Sequence, residues 1–234
     1  MQTQRPPSSF IINDLPYYSQ WESSELVGKI IRSEISAEDD PLWRQSGAKT
    51  PQEYEYWAKN MCGMACLKMI LKHEFAKNIP IIKLGKKCAA YGGYIENEDT
   101  IDGLYYPHFV KFIADEFGLM GKIFVPLSID GIIEEMLSGH YVIASVNQKI
   151  RNPKNRPASR GGHLILMLGF DLAHKNLFFH DPAGDQNNNQ SYAKISFKRF
   201  GNFFAERGIS IESNYGKYTG LVKAVRSKYK TRRS

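Results

Sequence analysis

Cysteine is scarce in this chain: Cys62, Cys66 and Cys88 are the only three in 234 residues. An odd count without an extracellular signature argues against a disulfide framework. Cys62 and Cys66 are one helical turn apart, as half of a zinc site would be, but no CxxC or HxxxH pair completes a ligand set. Neither a metal nor an organic cofactor is expected. Long apolar runs are missing too. Stretches such as residues 164–170 fall far short of the roughly 18 residues that a membrane span needs. The first 13 residues are polar and proline-bearing, with only Phe10, Ile11 and Ile12 as an apolar run. They lack the hydrophobic region and cleavage site of a secretory signal, so the cytoplasm is the expected compartment. Acids are absent from the C-terminal end: residues 217–234 hold Lys217, Lys223, Arg226, Lys228, Lys230, Arg232 and Arg233 without one Asp or Glu. The chain has 31 basic and 24 acidic residues, a formal charge of +7, so those seven account for the whole excess. The body is formally neutral and the basic end reads as a solvated tail, which makes nucleic acid an unexpected partner.

What is present describes a globular protein. Hydrophobic residues make up 42% and charged residues 24%, close to the average for folded domains, and the length suits one shared core. Residues 1–13 read as a flexible arm, 14–225 as a single domain, and 226–234 as the tail; no internal repeat is visible. A short helix is expected within residues 24–35. Thr50 followed by Pro51 and Glu53 is a helix start, with an N-cap, a proline at the first position and an acid in the first turn. Residues 62–73 carry a wide apolar helical stripe. Further helices are expected from Pro107 to a C-cap at Gly118, and over residues 130–137. The periodicity then changes. Residues 141–146, 163–170 and 176–180 read as strands, the last two joined by a hairpin turn, and residues 218–225 as a final strand. Residues 149–162 and 184–190 read as loops. Helices first and antiparallel strands second make an α+β fold, a helical N-terminal part packed on a C-terminal sheet.

Three residues could carry nucleophilic chemistry. A helix N-terminus and a histidine partner can together bring a thiol into its ionised form near neutral pH. Cys62 stands where a buried helix begins, followed by Gly63, which would let a substrate approach the backbone. On position alone, a small buried hydrophobe is the simpler account of Cys62. His163 opens a strand directly after Gly161 and Gly162, which would place its ring at a sheet end. Asp181, before Pro182, ends the neighbouring strand of the hairpin, within reach of His163. A carboxylate there would hold the imidazole in one tautomer, as the third member of a triad does. His180 should point to the opposite face and be structural or substrate-facing. Arg151, Lys154, Arg156 and Arg160 read either as a solvated loop or as contacts for an acidic substrate.

These residues resemble a known family. The segment Asn60-Met61-Cys62-Gly63-Met64-Ala65-Cys66 looks like the nucleophile helix of C39-like cysteine peptidases, within the papain-like superfamily. Gly161-Gly162-His163-Leu164-Ile165 looks like their histidine strand, and His180-Asp181-Pro182 like their aspartate-proline step. Leu15-Pro16-Tyr17-Tyr18-Ser19-Gln20 resembles the opening segment whose glutamine serves the oxyanion hole. The resemblance implies a papain-like fold over about residues 14–205, with Cys62, His163 and Asp181 catalytic and Gln20 as oxyanion donor. Gly63 and Gly162 would border the substrate. Two departures stand out. Forty-one residues separate Gln20 from Cys62, where the family places only a few. Residues 22–59 are then an insertion, or the nearer Gln52 serves instead. Nor does this sequence contain the membrane span or P-loop of the exporters that carry many such domains, so it reads as a stand-alone member. The expected activity is amide hydrolysis through a thioester on a peptide or small amide. Transfer of the acyl group to an amine and a non-catalytic peptide-binding module are the alternatives. Nothing in the sequence addresses the oligomeric state.

Overall fold

A strand that is apolar at every position, as residues 164–168 are, has to be covered on both faces. The computed structural model, which describes residues 7–152, 154 and 157–213, places that strand inside a seven-stranded antiparallel sheet with helices on both sides. In chain order the elements are β1 (Ser9–Ile11), α1 (Val27–Ile31), α2 (Pro51–Ala58), α3 (Cys62–Phe75), α4 (Ile81–Ala90), β2 (Tyr94–Glu96), β3 (Ile101–Gly103), α5 (Tyr106–Phe117), β4 (Gly121–Phe124), α6 (Ile129–Leu137), β5 (His140–Val146), β6 (His163–Asp171), β7 (Asn176–His180), α7 (Asn187–Gln190), β8 (Ala193–Ser196), α8 (Phe197–Phe203) and β9 (Phe204–Glu212). The sheet runs β4-β9-β5-β6-β7-β8, with β1 added beside β6, while β2 and β3 form a separate hairpin. Leu164, Leu166 and Leu168 of β6 enter one core with Trp57, Met64 and Phe112 from the N-terminal helices. Ile165 and Met167, on the alternate face, enter a second core with Ile132 of α6 and Phe200 of α8. The fold is α+β, with the sheet sandwiched rather than covered on one side only.

Local signals explain the helix ends. Thr50 Oγ accepts the Glu53 N–H at 3.1 Å, with Pro51 at the first helical position. Ser128 caps α6 through the Gly131 N–H at 2.9 Å, and Gly118 ends α5 in the left-handed region at φ +67°. The helix expected within residues 24–35 is shorter, a single 3-10 turn followed by α1, because the chain reverses at Ser33 with φ +57°. The strand expected at residues 218–225 lies outside the described residues, as does the basic tail. Among the described residues the last strand in chain order is β9, which pairs with both β4 and β5. Residues 9–11 of the arm expected to be flexible form β1, whose Phe10 stands opposite Phe170.

The two ends of residues 22–59 are tied together. The Glu22 N–H donates to the Tyr54 hydroxyl at 2.7 Å, and the Gln20 side chain reaches the end of α2. Between them lies Asp40, fully buried. Its carboxylate accepts from the Ser23 N–H at 3.0 Å, the Leu42 N–H at 2.9 Å, the Tyr54 hydroxyl at 2.7 Å and the Ser23 hydroxyl. Four donors occupy the lone pairs of the carboxylate, which is the condition for burying such a charge at tolerable cost. Val27, Ala37 and Trp57 seal the same segment into the first core.

Candidate active site

The site begins at a tight corner between two helices. Helix α2 ends at Ala58, the Met61 N–H bonds back to the Ala58 carbonyl at 3.2 Å, and α3 starts at Cys62. The first N–H groups of a helix have no intrahelical acceptor, so the Cys62 backbone N–H and the dipole of a fourteen-residue helix both favour negative charge there. Gln20 braces this corner. Its Nε2 donates to the carbonyls of Ala58 at 2.9 Å and Lys59 at 3.1 Å, and its backbone N–H donates to the Pro182 carbonyl at 2.8 Å.

The second half of the site comes from the start of β6 and the end of β7. Gly161 and Gly162 both adopt positive φ, +92° and +91°, a turn that any other residue would make at a cost. It delivers His163 to the sheet end, where the ring is 5% exposed. His163 Nε2 lies 2.6 Å from Asp181 Oδ1, which also accepts the Ala183 N–H at 2.9 Å. With Nε2 committed to the carboxylate, Nδ1 is left to face the thiol, and Cys62 and His163 share the same cleft wall, each shifting the other's ionisation. Asp181 is itself held from three sides. Its N–H donates to the Gln190 carbonyl at 2.8 Å, its carbonyl accepts the Tyr17 hydroxyl at 3.0 Å, and its Oδ2 faces Arg151 Nε at 4.0 Å.

These surroundings set the protonation states. Burial pushes the Cys62 thiol up, but the hydrogen bond and charge of His163 outweigh it. Sulfur also bonds the Leu164 and Gly63 backbones, and the net pKa lies below that of an ordinary thiol. Burial acts to lower His163, yet the charge and hydrogen bond of Asp181, with a contribution from Cys62, carry it to about 9. Both shifts favour the charged pair, thiolate beside imidazolium, over the neutral one. The other cysteines are different. Burial holds Cys66 well above the usual thiol value, with its sulfur 3.9 Å from the Leu164 carbonyl, and pushes Cys88 up to about 12.

Cys62 and His163 open into a cleft of about 440 Å³ that is also lined by Leu104, Tyr106, Val125, Ser145 and Arg207. The structure thus brings Cys62, His163 and Asp181 together. It places the other expected site residues less simply. Both Nε2 protons of Gln20 are taken by carbonyls, so one of those bonds has to open before this side chain can donate to an oxyanion. Gln52 is exposed, donates to Glu38 at 2.8 Å and lines a separate depression. Gly63, expected to admit substrate, lies under Leu104 and Leu164, and a Cβ there would come within 2.8 Å of the Leu104 side chain; its bareness serves packing. Gly162 does line the cleft, and a Cβ there would point into open space. Arg151, expected on a solvated loop or against an acidic substrate, is instead nearly buried beside Asp181. His180 has a structural role, bonded to the Leu15 carbonyl and the Tyr192 N–H. The cleft residues Tyr106, Ser145 and Arg207 were not legible beforehand, because they belong to three elements that meet only in the folded sheet. Among the described residues, no cluster of His, Cys, Asp and Glu is arranged to hold a metal, and no helix is long and apolar enough to cross a membrane.

Comparison with known proteins agrees with this geometry. No curated protein matches the chain. Among solved structures, a protein named as a C39-like peptidase from Bacillus anthracis superposes with a TM-score of 0.54 at 12% identity, covering 88% of this chain and 98% of that one. The peptidase domain of Streptococcus ComA, a bifunctional ABC transporter of a quorum-sensing pathway, gives a TM-score of 0.43 at 15% identity over 67% of this chain and 93% of that one. A double glycine motif protease from an AMS/PCAT transporter, in complex with its leader peptide, gives 0.41 at 18% identity over 65% and 84%. The first of these establishes a shared fold. The model of the Peptidase_C39 like family matches residues 12–209, most of the chain. The chain therefore belongs to the Peptidase_C39 like family, and its function is of the cysteine-peptidase kind.

Proposed function

We propose that the protein hydrolyses an amide bond of a peptide through a thioester on Cys62. The observation that carries this reading is the grouping of Cys62, His163 and Asp181: a thiol and an imidazole lining one cleft and shifting each other's ionisation, with the far nitrogen of the ring 2.6 Å from a buried carboxylate. The Cys62 thiolate attacks the scissile carbonyl, forming a C–S bond as the carbonyl π electrons move to oxygen. The Cys62 backbone N–H stabilises that oxyanion, a contribution of about 2.7–4 kcal/mol for one such donor. Gln20 adds a second donor once its amide exchanges a carbonyl of the α2–α3 corner for the oxyanion. The tetrahedral intermediate collapses, the C–N bond breaks, and the His163 imidazolium gives its proton to the leaving amine. Neutral His163 then takes a proton from water as the water oxygen attacks the thioester. Collapse releases the carboxylic acid and returns thiolate and imidazolium. Asp181 orients the ring throughout and balances its charge.

The test uses the intact protein and a peptide library. Wild type should release new amino termini and, after rapid acid quenching, show an acyl adduct on the peptide bearing Cys62 by mass spectrometry. Cys62→Ala should show neither. Iodoacetamide at pH 6 should label Cys62 ahead of Cys66 and Cys88. Turnover that survives in Cys62→Ala, or early labelling confined to Cys66 or Cys88, would refute the proposal.

A further inference from the structure

Part of the cleft lining is built by an irregularity in the sheet. Strands β5 and β9 pair at Ala144 with Gly208 and at Val146 with Phe204, so three residues of β9, 205–207, stand opposite the single residue Ser145. At the crest Glu206 takes a left-handed conformation, φ +54°, without being glycine. Its carbonyl is pinned by the Leu127 N–H at 2.7 Å and its carboxylate by Arg160 at 3.0 Å. Gly208 closes the bulge where a Cβ would come within 2.5 Å of the Ile143 carbonyl. Bulges beside active sites re-aim side chains, and this one turns Arg207 onto the wall shared with Cys62 and His163. Arg207 Nε donates to Ser145 Oγ at 3.4 Å, and the Tyr106 hydroxyl neighbours both side chains. The glycine turn leading to His163 makes room for the guanidinium: a Cβ on Gly161 would come within 2.9 Å of Arg207 Nη2. Among the described residues, no carboxylate lies within ion-pair distance of Arg207, although Glu206 beside it and Arg160 pair with each other. With Nε turned to Ser145, the two terminal nitrogens present a planar edge, the shape that pairs two-pronged with a carboxylate. The same cleft has apolar lining in Leu104 and Val125.

We propose that Arg207, backed by Ser145 and Tyr106, forms a carboxylate-binding subsite beside Cys62, and that preferred substrates carry a carboxylate close to the scissile amide, on an acidic side chain or at the chain end. The substrate statement rests on Cys62 being the nucleophile of a peptidase; the subsite itself does not need turnover. It is therefore tested first by the ratio of Cys62 alkylation rates with iodoacetate and iodoacetamide, two reagents alike except for the carboxylate. Arg207→Met should lower that ratio about 10- to 100-fold, the worth of a charged hydrogen-bonded pair, with the iodoacetamide rate little changed. Arg207→Lys, which keeps the charge but not the fork, should lose only part of it. Lys122→Met, which removes an exposed cation on β4, should leave the ratio alone. A ratio unaltered in Arg207→Met, or lowered equally by Lys122→Met, would overturn the subsite. Matched peptides then separate the sources of the carboxylate. A Glu-to-Gln exchange reports a side chain and a terminal acid against its amide reports a chain end. Wild type should prefer one acid by a factor that Arg207→Met abolishes. An Arg207-dependent alkylation ratio without any peptide turnover would remove the peptidase reading and leave the subsite standing, whereas turnover indifferent to both acids would overturn the substrate assignment.

Discussion

Two buried imidazoles, His163 at the start of β6 and His180 at the end of β7, lie on neighbouring strands and carry opposite ionisation. Burial presses both toward the neutral form. For His180 only the hydrogen bond to the Leu15 carbonyl opposes it, and burial wins. Nε2 donates to the Leu15 carbonyl at 3.1 Å, Nδ1 accepts the Tyr192 N–H at 3.1 Å, and the rings of Tyr17 and Tyr192 pack edgewise against it. Every partner is uncharged, and its pKa falls to about 4. For His163 one carboxylate at 2.6 Å reverses the outcome and carries the ring to about 9. One histidine is fixed as a structural strut between the N-terminal segment and the β7–β8 connection, and the other is held as a charged acid. The difference is made by the next residue along from His180, Asp181.

Removing that carboxylate is the largest test of the contrast. Asp181→Asn keeps the shape and cancels the charge, so His163 should come to resemble His180 and lose its proton at neutral pH. Peptide hydrolysis should fall about 10³- to 10⁴-fold in kcat/KM, as when a triad carboxylate is lost elsewhere. Alkylation of Cys62 at pH 6 should slow with it, because the thiolate loses its counter-ion. Circular dichroism should show the fold intact. Hydrolysis within tenfold of wild type would mean that Asp181 does not govern the ring.

The two histidines should also leave opposite marks on stability. The His180 pKa lies below its ordinary value of 6.5, so the unfolded chain binds the proton more readily between pH 6.5 and 4. Its contribution is complete above about 6.5 and is lost as pH falls toward 4, about 3 kcal/mol in all. Urea unfolding across that window checks this, and His180→Gln should flatten that part of the profile. His163 has the reverse sign: its stabilisation is complete below about 6.5 and is lost as pH rises through about 9. The same titration limits catalysis. Above about 9 the general acid disappears, and kcat/KM should decline about tenfold per pH unit. Alkylation of Cys62 needs only the thiolate and should persist there. Parallel decline of both would indicate that the alkaline limb belongs to unfolding rather than to His163.

Much of this was legible locally and some of it could not be. The cap at Thr50-Pro51, the stop at Gly118 and the apolar stripe of α3 are short-range signals, and each helix stands where they direct it. The hairpin of β6 and β7 is likewise local, so His163 and Asp181 could be brought together from sequence. Cys62 joins them only through the packing of α3 on β6. Arg207 escaped because its direction depends on a bulge formed against Ser145, 62 positions earlier in the chain. Nothing in Glu206-Arg207-Gly208 alone announces it. The 41 residues between Gln20 and Cys62 suggested an insertion; that this segment is anchored on buried Asp40 follows from pairings among Ser23, Leu42 and Tyr54 that no periodicity displays.

Arg151 is the finest probe of what separates the two imidazoles. Its guanidinium, nearly buried, lies 4.0 Å from the Asp181 oxygen that His163 does not use, while its carbonyl accepts from Asn189 Nδ2 at 3.2 Å. A cation on that side of the carboxylate acts in two ways. It balances the carboxylate's charge, on which His163 depends, and it opposes a second positive charge on the ring a few ångströms further on. Arg151→Met retains the buried stem and removes the charge. Since the Ala183 N–H and His163 still hold Asp181, the carboxylate should stay in place and the loss of repulsion should dominate. The alkaline limb of kcat/KM should then move upward by less than about one pH unit, with the plateau changed about threefold or less, as befits a partner that is charged but not hydrogen-bonded. A limb displaced downward would show that Arg151 mainly orients Asp181, and the carboxylate's grip on His163 would then depend on three elements of the fold rather than two.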